Sequence, residues 1–253
     1  MYLTRLESKI LVSLHYINFG VKEMKQSVKT VLSTLKKQYD KLNKPYYYKY
    51  AQDNIQCDCP LCRCPSRNTM RYSFVYICEK RNLIYYDVPK CASSTIRKVL
   101  FNNSHQLSLQ NPQKDLQKYF KFSFVRNPWN RIVSNWKMFT TQSFRIEQLK
   151  SMTSQDVSKF EDFVYFAASM KNHHWQPQIL YLPDQLDFVG KLESFNEDFS
   201  NLCNTIGEKP YEVKKTNSIT KLPYWEYYTP SLVEFVSEMY AEDIKKFGYK
   251  FGE

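Results

Sequence analysis

The chain has 253 residues, enough for one large domain with a sizeable core. Aromatics make up 16% of it and only 5 residues are glycine, which excludes a disordered or low-complexity polymer. A net charge of +11 fits a polyanionic partner (nucleic acid, an acidic membrane surface or a phosphorylated cofactor), against the plainer reading of a solvated basic surface.

Residues 3–42 read as helix, broken near Gly20. Apolar residues recur at Leu3, Leu6, Ile10, Leu14 and Ile17, then at Val28, Val31, Leu32 and Leu35. This N-terminal helical extension, 1–45, is expected to pack on the main domain, with a homodimer contact as the alternative. The opening "MYLTRLESKILVSLHYINFG" carries charges at Arg5, Glu7 and Lys9, and its apolar run is too short to span a bilayer. The expectation is a cytoplasmic protein without a membrane span.

Residues 46–71 read as an irregular connection rich in proline and cysteine. Four of the seven cysteines, Cys57, Cys59, Cys62 and Cys64, lie in "CDCPLCRC". A structural metal, a disulfide and unmodified thiols all stay open. A reducing compartment favours metal over disulfide, but four thiolates this close crowd a zinc ion, and paired CxxC knuckles with a long spacer are absent.

The main domain, 72–253, alternates strand and helix. "YSFVYICEKRNLIYYDV" predicts two strands around a polar turn at Glu79–Asn82, followed by a helix from about Ser94 to Asn102. "KFSFV" (121–125) is a buried strand. Pro128 opens a helix to about Phe139, with Asn127 as its cap. Helix follows over 158–170 and strand over 186–193, then a helix capped by Ser194 and stopped at Gly207, and a last capped helix over 229–248. Such alternation implies an α/β fold: a P-loop-like, mainly parallel sheet flanked by helices.

Two stretches carry chemistry. In "VPKCASSTIRKV" a strand ends in a loop of small residues that opens a helix. Unpaired backbone N–H groups at a helix start sit at the positive end of its dipole and bind phosphate or sulfate. Ser93, Ser94 and Thr95 add hydroxyls, Cys91 and Ala92 keep the loop small, and Lys90 places a cation over the bound group. The phosphate loop of nucleoside triphosphatases does not match, because glycines are missing and the lysine precedes the small residues. In "FVRNPWNRIVSNW", Arg126 ends a strand, while Arg131 and Ser134 share a helix face. Parallel strands aim their carboxyl ends at the ligand crevice, so Arg126 and Ser134 form a second anion grip near the first. Two separated grips fit a nucleotide with phosphates at both its 5′ and 3′ ends.

These stretches resemble the PAPS-dependent sulfotransferases, in the branch of Golgi carbohydrate sulfotransferases and their bacterial relatives. "VPKCASSTIRKV" is similar to that family's 5′-phosphosulfate loop, and "RNPWNRIVS" to its 3′-phosphate motif. "HHWQPQ", "VGKLE" and "YAEDIKKFGY" resemble its later segments, in family order, over about 72–251. The resemblance implies the sulfotransferase fold and transfer of the sulfuryl group of PAPS to an acceptor hydroxyl, leaving adenosine 3′,5′-bisphosphate, with no catalytic metal. It implies that Lys90 neutralises the leaving 5′-phosphate, with Cys91, Ala92, Ser93, Ser94 and Thr95 lining it, and that Arg126 and Ser134 hold the 3′-phosphate.

A base is also needed. His174, in the H-W segment, comes first, beside His173. His105, just after the first helix, is second, and Glu193 on the V-G-K-x-E strand is third. The animal carbohydrate enzymes usually carry a membrane anchor and cysteines after the H-W segment, where this chain reads "ILYLPDQ". A small hydroxylated metabolite of secondary metabolism is therefore the expected acceptor, and a glycan the alternative. A phosphate-loop kinase and a basic nucleic-acid-binding protein are the rival classes; no nucleic-acid partner is expected.

Overall fold

A computed structural model describes residues 26, 29, 30, 33, 47–50, 57–61, 75–101, 116–209 and 222–253. His105, Cys62, Cys64 and nearly all of the expected N-terminal helices, with their homodimer contact, lie outside the described residues. Residues 26, 29, 30 and 33 are helical. The chain divides into two compact units, Met1–Pro45 and Tyr46–Glu253.

The larger unit is built on a five-stranded sheet in the order β1 (Tyr47–Tyr50), β2 (Val75–Cys78), β3 (Leu83–Tyr86), β4 (Phe120–Val125) and β5 (Phe188–Lys191). β2 and β3 are joined by a single 3-10 turn, Glu79–Arg81, and Asn82 reverses the chain in the left-handed region, so the pair is antiparallel. Helix α1 (Ser93–Leu100) carries the chain over to β4, which pairs parallel with β3. Helices α2 (Pro128–Thr141), α3 (Ser143–Met152) and α4 (Phe160–Ser169) precede β5, again parallel to β4. The sheet is thus mixed. Crossover helices impose parallel pairing where the anion loop sits, and the short turn imposes antiparallel pairing between β2 and β3.

One core lies between the sheet, α1 and α5 (Phe195–Thr205), with Tyr85, Phe122 and Phe124 against Ile96, Leu100, Phe199 and Leu202. A second joins Val125, α2 and α4 to α6 (Pro230–Met239), around Trp175, Phe163 and Val236. Gly190 in β5 is required by the first core. A Cβ there would overlap the Phe124 ring, which is wedged against Phe188, Phe195 and Phe199. Gly190→Ala is expected to destabilise by about 1–3 kcal/mol through overpacking. A urea midpoint equal to that of the unsubstituted protein would show that the ring moves aside at no cost.

Several expectations are corrected here. Tyr47–Tyr50, read as part of an irregular connection, pairs antiparallel with β2; a tyrosine-rich run suits a pleated surface more than a loop. Helix α3 was not anticipated, because the apolar residues of "SFRIEQLKSM" form no clean stripe. The single helix over 229–248 is two, α6 and α7 (Ala241–Phe247), broken at Tyr240. Ser194 does not cap α5 with its side chain; its hydroxyl donates to Asp198 at 2.7 Å. The Asn127 cap on α2 is present, its Oδ1 accepting from the N–H groups of Trp129 and Asn130 at 3.1 and 3.3 Å.

Candidate active site

The loop between β3 and α1 contains no glycine, yet Lys90 and Ala92 both adopt left-handed backbone, φ 73° and 62°. Non-glycine residues pay roughly 1–2 kcal/mol for that conformation. Alternation of this kind curls successive N–H groups around a concavity that suits an anion. The N–H groups of Cys91 and Thr95 are taken by the carbonyls of Val88 and Ala92 at 3.3 and 2.9 Å. Those of Ala92, Ser93 and Ser94 stand at the start of α1, where the helix supplies no acceptor.

A cavity of about 430 Å³ opens over this loop. It is lined by the loop itself, by Arg126 from the end of β4, by Ser134 and Met138 from α2, and by His173 and His174. The structure therefore gathers Lys90, Ala92, Ser93, Ser94, Thr95, Arg126, Ser134 and His174 into one space. Ser93 lines it, but its hydroxyl donates to the Val88 carbonyl at 3.1 Å and so holds the loop. Cys91 turns inward. Its thiol, pushed up to about 12 by burial, donates to Gln178 Oε1 at 3.4 Å.

The Arg126 guanidinium is aimed by Asn130 Oδ1 at 2.8 Å and by the Lys90 carbonyl at 3.4 Å. Its buried Nε has no partner among the described residues, which leaves a cationic donor for a ligand. Burial lowers its pKa below the usual arginine value. Lys90 rests its ammonium on Met138 Sδ at 3.7 Å. Burial, with Arg126 and Arg145 next in weight, lowers its pKa to about 8. One carboxylate, Asp87, also lines the cavity; it accepts from Tyr85 at 3.2 Å and lies 3.7 Å from Arg97. The balance strongly favours a polyanion.

His174 is buried behind this cationic rim. Asn172 Oδ1 accepts its backbone N–H at 3.0 Å and lies 2.9 Å from its Nδ1. A carbonyl oxygen cannot donate, so Nδ1 carries the proton and Nε2 keeps the lone pair. Burial first, then His173, Arg145, Lys90 and Arg131, hold its pKa well below the ordinary histidine value. At neutral pH the ring is uncharged and able to accept a proton.

Glu193, the third candidate base, is placed elsewhere. Its Oε1 accepts the Asn127 N–H at 2.9 Å and its Oε2 the Tyr249 hydroxyl at 3.4 Å, and it does not line the cavity. Arg131 shares the α2 face with Ser134 but points inward, donating to the carbonyls of Pro89, His174 and Gln176 at 3.0, 3.1 and 2.8 Å. It binds the anion loop to the histidine segment.

Sequence reasoning missed the residues that do such tying. Gln178 takes the Arg126 N–H at 2.9 Å and gives its amide to the Arg126 carbonyl at 2.8 Å, while accepting from Cys91. Asp243 accepts the N–H groups of Gln178 and Ile179 at 2.7 and 2.9 Å. Tyr240 donates to the Trp175 carbonyl at 2.6 Å. Gln178, Tyr240 and Asp243 all stand inside the quoted stretches "HHWQPQ" and "YAEDIKKFGY", so the signal was there without its meaning.

Among the described cysteines, Cys57 and Cys59 are buried, and no disulfide joins two described cysteines. No group of three or more metal-binding side chains occurs among the described residues; half of the proposed cysteine set lies outside them. No helix among the described residues is long and apolar enough to cross a membrane.

Carbohydrate sulfotransferase 11 of rat and of mouse is 26% identical to the chain over 185 residues, covering 53% of this chain and 53% of each relative. The chain spans about half the length of the curated relatives it matches. No solved structure gives a significant match. The model of the sulfotransferase family matches residues 74–250, a span that holds the anion loop, Arg126, Ser134 and His174, and the chain therefore belongs to that family.

Proposed function

We propose that the chain transfers a sulfuryl group from PAPS to a hydroxyl of a saccharide acceptor. The observation that carries the donor is the pairing of two anion grips in one cavity, the β3–α1 loop with Lys90 and the Arg126–Ser134 pair. The orphaned Arg126 Nε and the helix-start N–H groups fit a nucleotide bearing both a 5′ and a 3′ anionic group. The relatives, named as carbohydrate sulfotransferases, favour the saccharide alternative over the small metabolite expected from the sequence.

PAPS supplies an activated sulfuryl group when bound. The residues of this chain then have distinct work. Lys90 and the α1 N–H groups stabilise charge that grows on the 5′-phosphate oxygen as its bond to sulfur breaks. Arg126 and Ser134 hold charge that is already present on the 3′-phosphate. His174 Nε2 takes the acceptor hydroxyl proton as the new oxygen–sulfur bond forms. Arg131 and Gln178 keep the loop, the strand end and the histidine segment in register.

Calorimetry with adenosine 3′,5′-bisphosphate and with AMP tests the donor reading. Loss of a charge-assisted contact costs roughly 1.5–3 kcal/mol, so the bisphosphate should bind about 10- to 150-fold more tightly. Arg126→Ala should remove most of that difference. Equal affinity of the unsubstituted protein for the two nucleotides would overturn the reading. Labelled PAPS with a panel of saccharides and hydroxylated metabolites tests the acceptor class.

A further inference from the structure

Cys57, Asp58 and Cys59, between β1 and β2, do not line the cavity, yet they are not a loose connection. Cys59 is fully buried and Cys57 nearly so, both packed on Met152 at the end of α3. Between them Asp58 grips the chain at Lys171 in both directions. The Asp58 N–H donates to the Lys171 carbonyl at 2.8 Å, and the Lys171 N–H donates to Asp58 Oδ2 at 3.0 Å.

Lys171 immediately precedes Asn172, the residue that fixes the His174 ring. Asn172 also gives its amide to Met152 Sδ at 3.6 Å, so the side chain that seats the two cysteines steadies the partner of His174. The carbonyl of Asn172 accepts the N–H groups of Trp175 and Gln176 at 3.1 and 3.0 Å, which closes the turn that carries both histidines. Cys57 lies close enough to Tyr181 to act on it electrostatically, and Tyr181 donates to the His173 carbonyl.

We propose that the Cys57–Asp58–Cys59 strap is a positioning element for the His173–His174 segment. It touches no reacting atom. It acts through Lys171, Asn172 and Met152, and sets the ring orientation and the dryness of His174. The inference rests on the sulfotransferase reading for its effect on turnover, but its structural content does not depend on that reading.

The test uses the full chain and the double variant Asp58→Ala with Cys59→Ala. Turnover of PAPS should fall about 10-fold, because small misplacement of a proton acceptor is costly. Affinity for adenosine 3′,5′-bisphosphate should stay within about twofold, since the strap contacts none of Lys90, Arg126 or Ser134. Nitrogen NMR of His174 supplies a readout that needs no activity. In the unsubstituted protein it should show the Nδ1–H tautomer. In the variant it should show mixed tautomers and a titration midpoint raised toward the ordinary value of about 6.5. The other groups that act on His174, namely His173, Lys90, Arg131 and Arg145, are unchanged.

Asp58→Asn keeps an oxygen for the Lys171 N–H and should behave as the unsubstituted protein. Unchanged His174 resonances in a folded double variant would overturn the proposal. Parallel losses of turnover, nucleotide affinity and melting temperature would also overturn it, as general destabilisation. If the double variant does not fold, Asp58→Ala alone is judged by the same resonances. If no acceptor is sulfated by any form of the protein, the functional reading fails while the NMR result still decides the role of the strap.

Discussion

Lys90→Ala is expected to lower kcat by about 10²–10³-fold, the usual cost of removing one donor aimed at developing charge. Apparent donor affinity should change far less, because on the proposed reading Arg126 and Ser134 hold charge present before and after transfer. The pH dependence gives a second readout. Lys90 is protonated below a pKa of about 8 and neutral above it. On the proposed reading only the protonated form stabilises the growing charge, so kcat/KM for PAPS should be full below about pH 8 and fall as pH rises through that value. Lys90→Arg should move this alkaline limb beyond the accessible range, since arginine stays charged. A Lys90→Ala variant that raised only the KM for PAPS, with kcat intact, would show that Lys90 binds the donor and does not act on the transition state.

His174→Ala should lose about 10²–10⁴-fold in turnover while keeping its affinity for adenosine 3′,5′-bisphosphate. The sign of its pH effect follows from the shift. Burial and surrounding cations lower its pKa, so the neutral ring persists below the ordinary histidine range, and activity should fall only as pH drops through that lowered value. A bound polyanion in the same cavity raises the value again, which places the acid limb of kcat above that measured in kcat/KM. His174→Ala should abolish both. Asn172→Ala should retain a share of the activity with a shifted limb, because the ring remains and only its tautomer is released. A His174→Ala variant at near the unsubstituted rate would move the proton-accepting role to another residue, His105 being the next candidate.

Much of the working half of this protein is written locally. A strand, a proline, a lysine, small residues and a helix occupy one short stretch, and a helix start offers backbone donors to an anion from its own residues. Arg126 and Ser134 are likewise set by one strand end and one helix turn, with Asn127 and Pro128 fixing where that helix begins. The alternation of elements then brings the two grips to the same edge of the sheet. For these residues, neighbours in sequence are neighbours in space.

What the sequence did not decide was which side chains face the ligand and which hold the frame. His174 and Glu193 are both candidate bases in the sequence, first and third in order. Their partners separate them: the distant Asn127 and Tyr249 occupy the carboxylate, while the nearby Asn172 leaves one nitrogen of the histidine with its lone pair. Arg131 and Ser134 share one helix face in the sequence pattern. Three carbonyls from two other segments turn Arg131 inward. The left-handed backbone at Lys90 and Ala92 runs against the preference of both residues, and it is held by bonds from Arg126, Arg131 and Gln178 that no local pattern encodes. The break at Tyr240 interrupts a stretch that reads as one continuous helix, with Tyr240 on Trp175 and Asp243 beneath Gln178. Backbone preferences are worth a kilocalorie or so per residue, and a buried polar group left unpaired costs as much or more. Tertiary pairing therefore overrode local preference at the residues that frame the site.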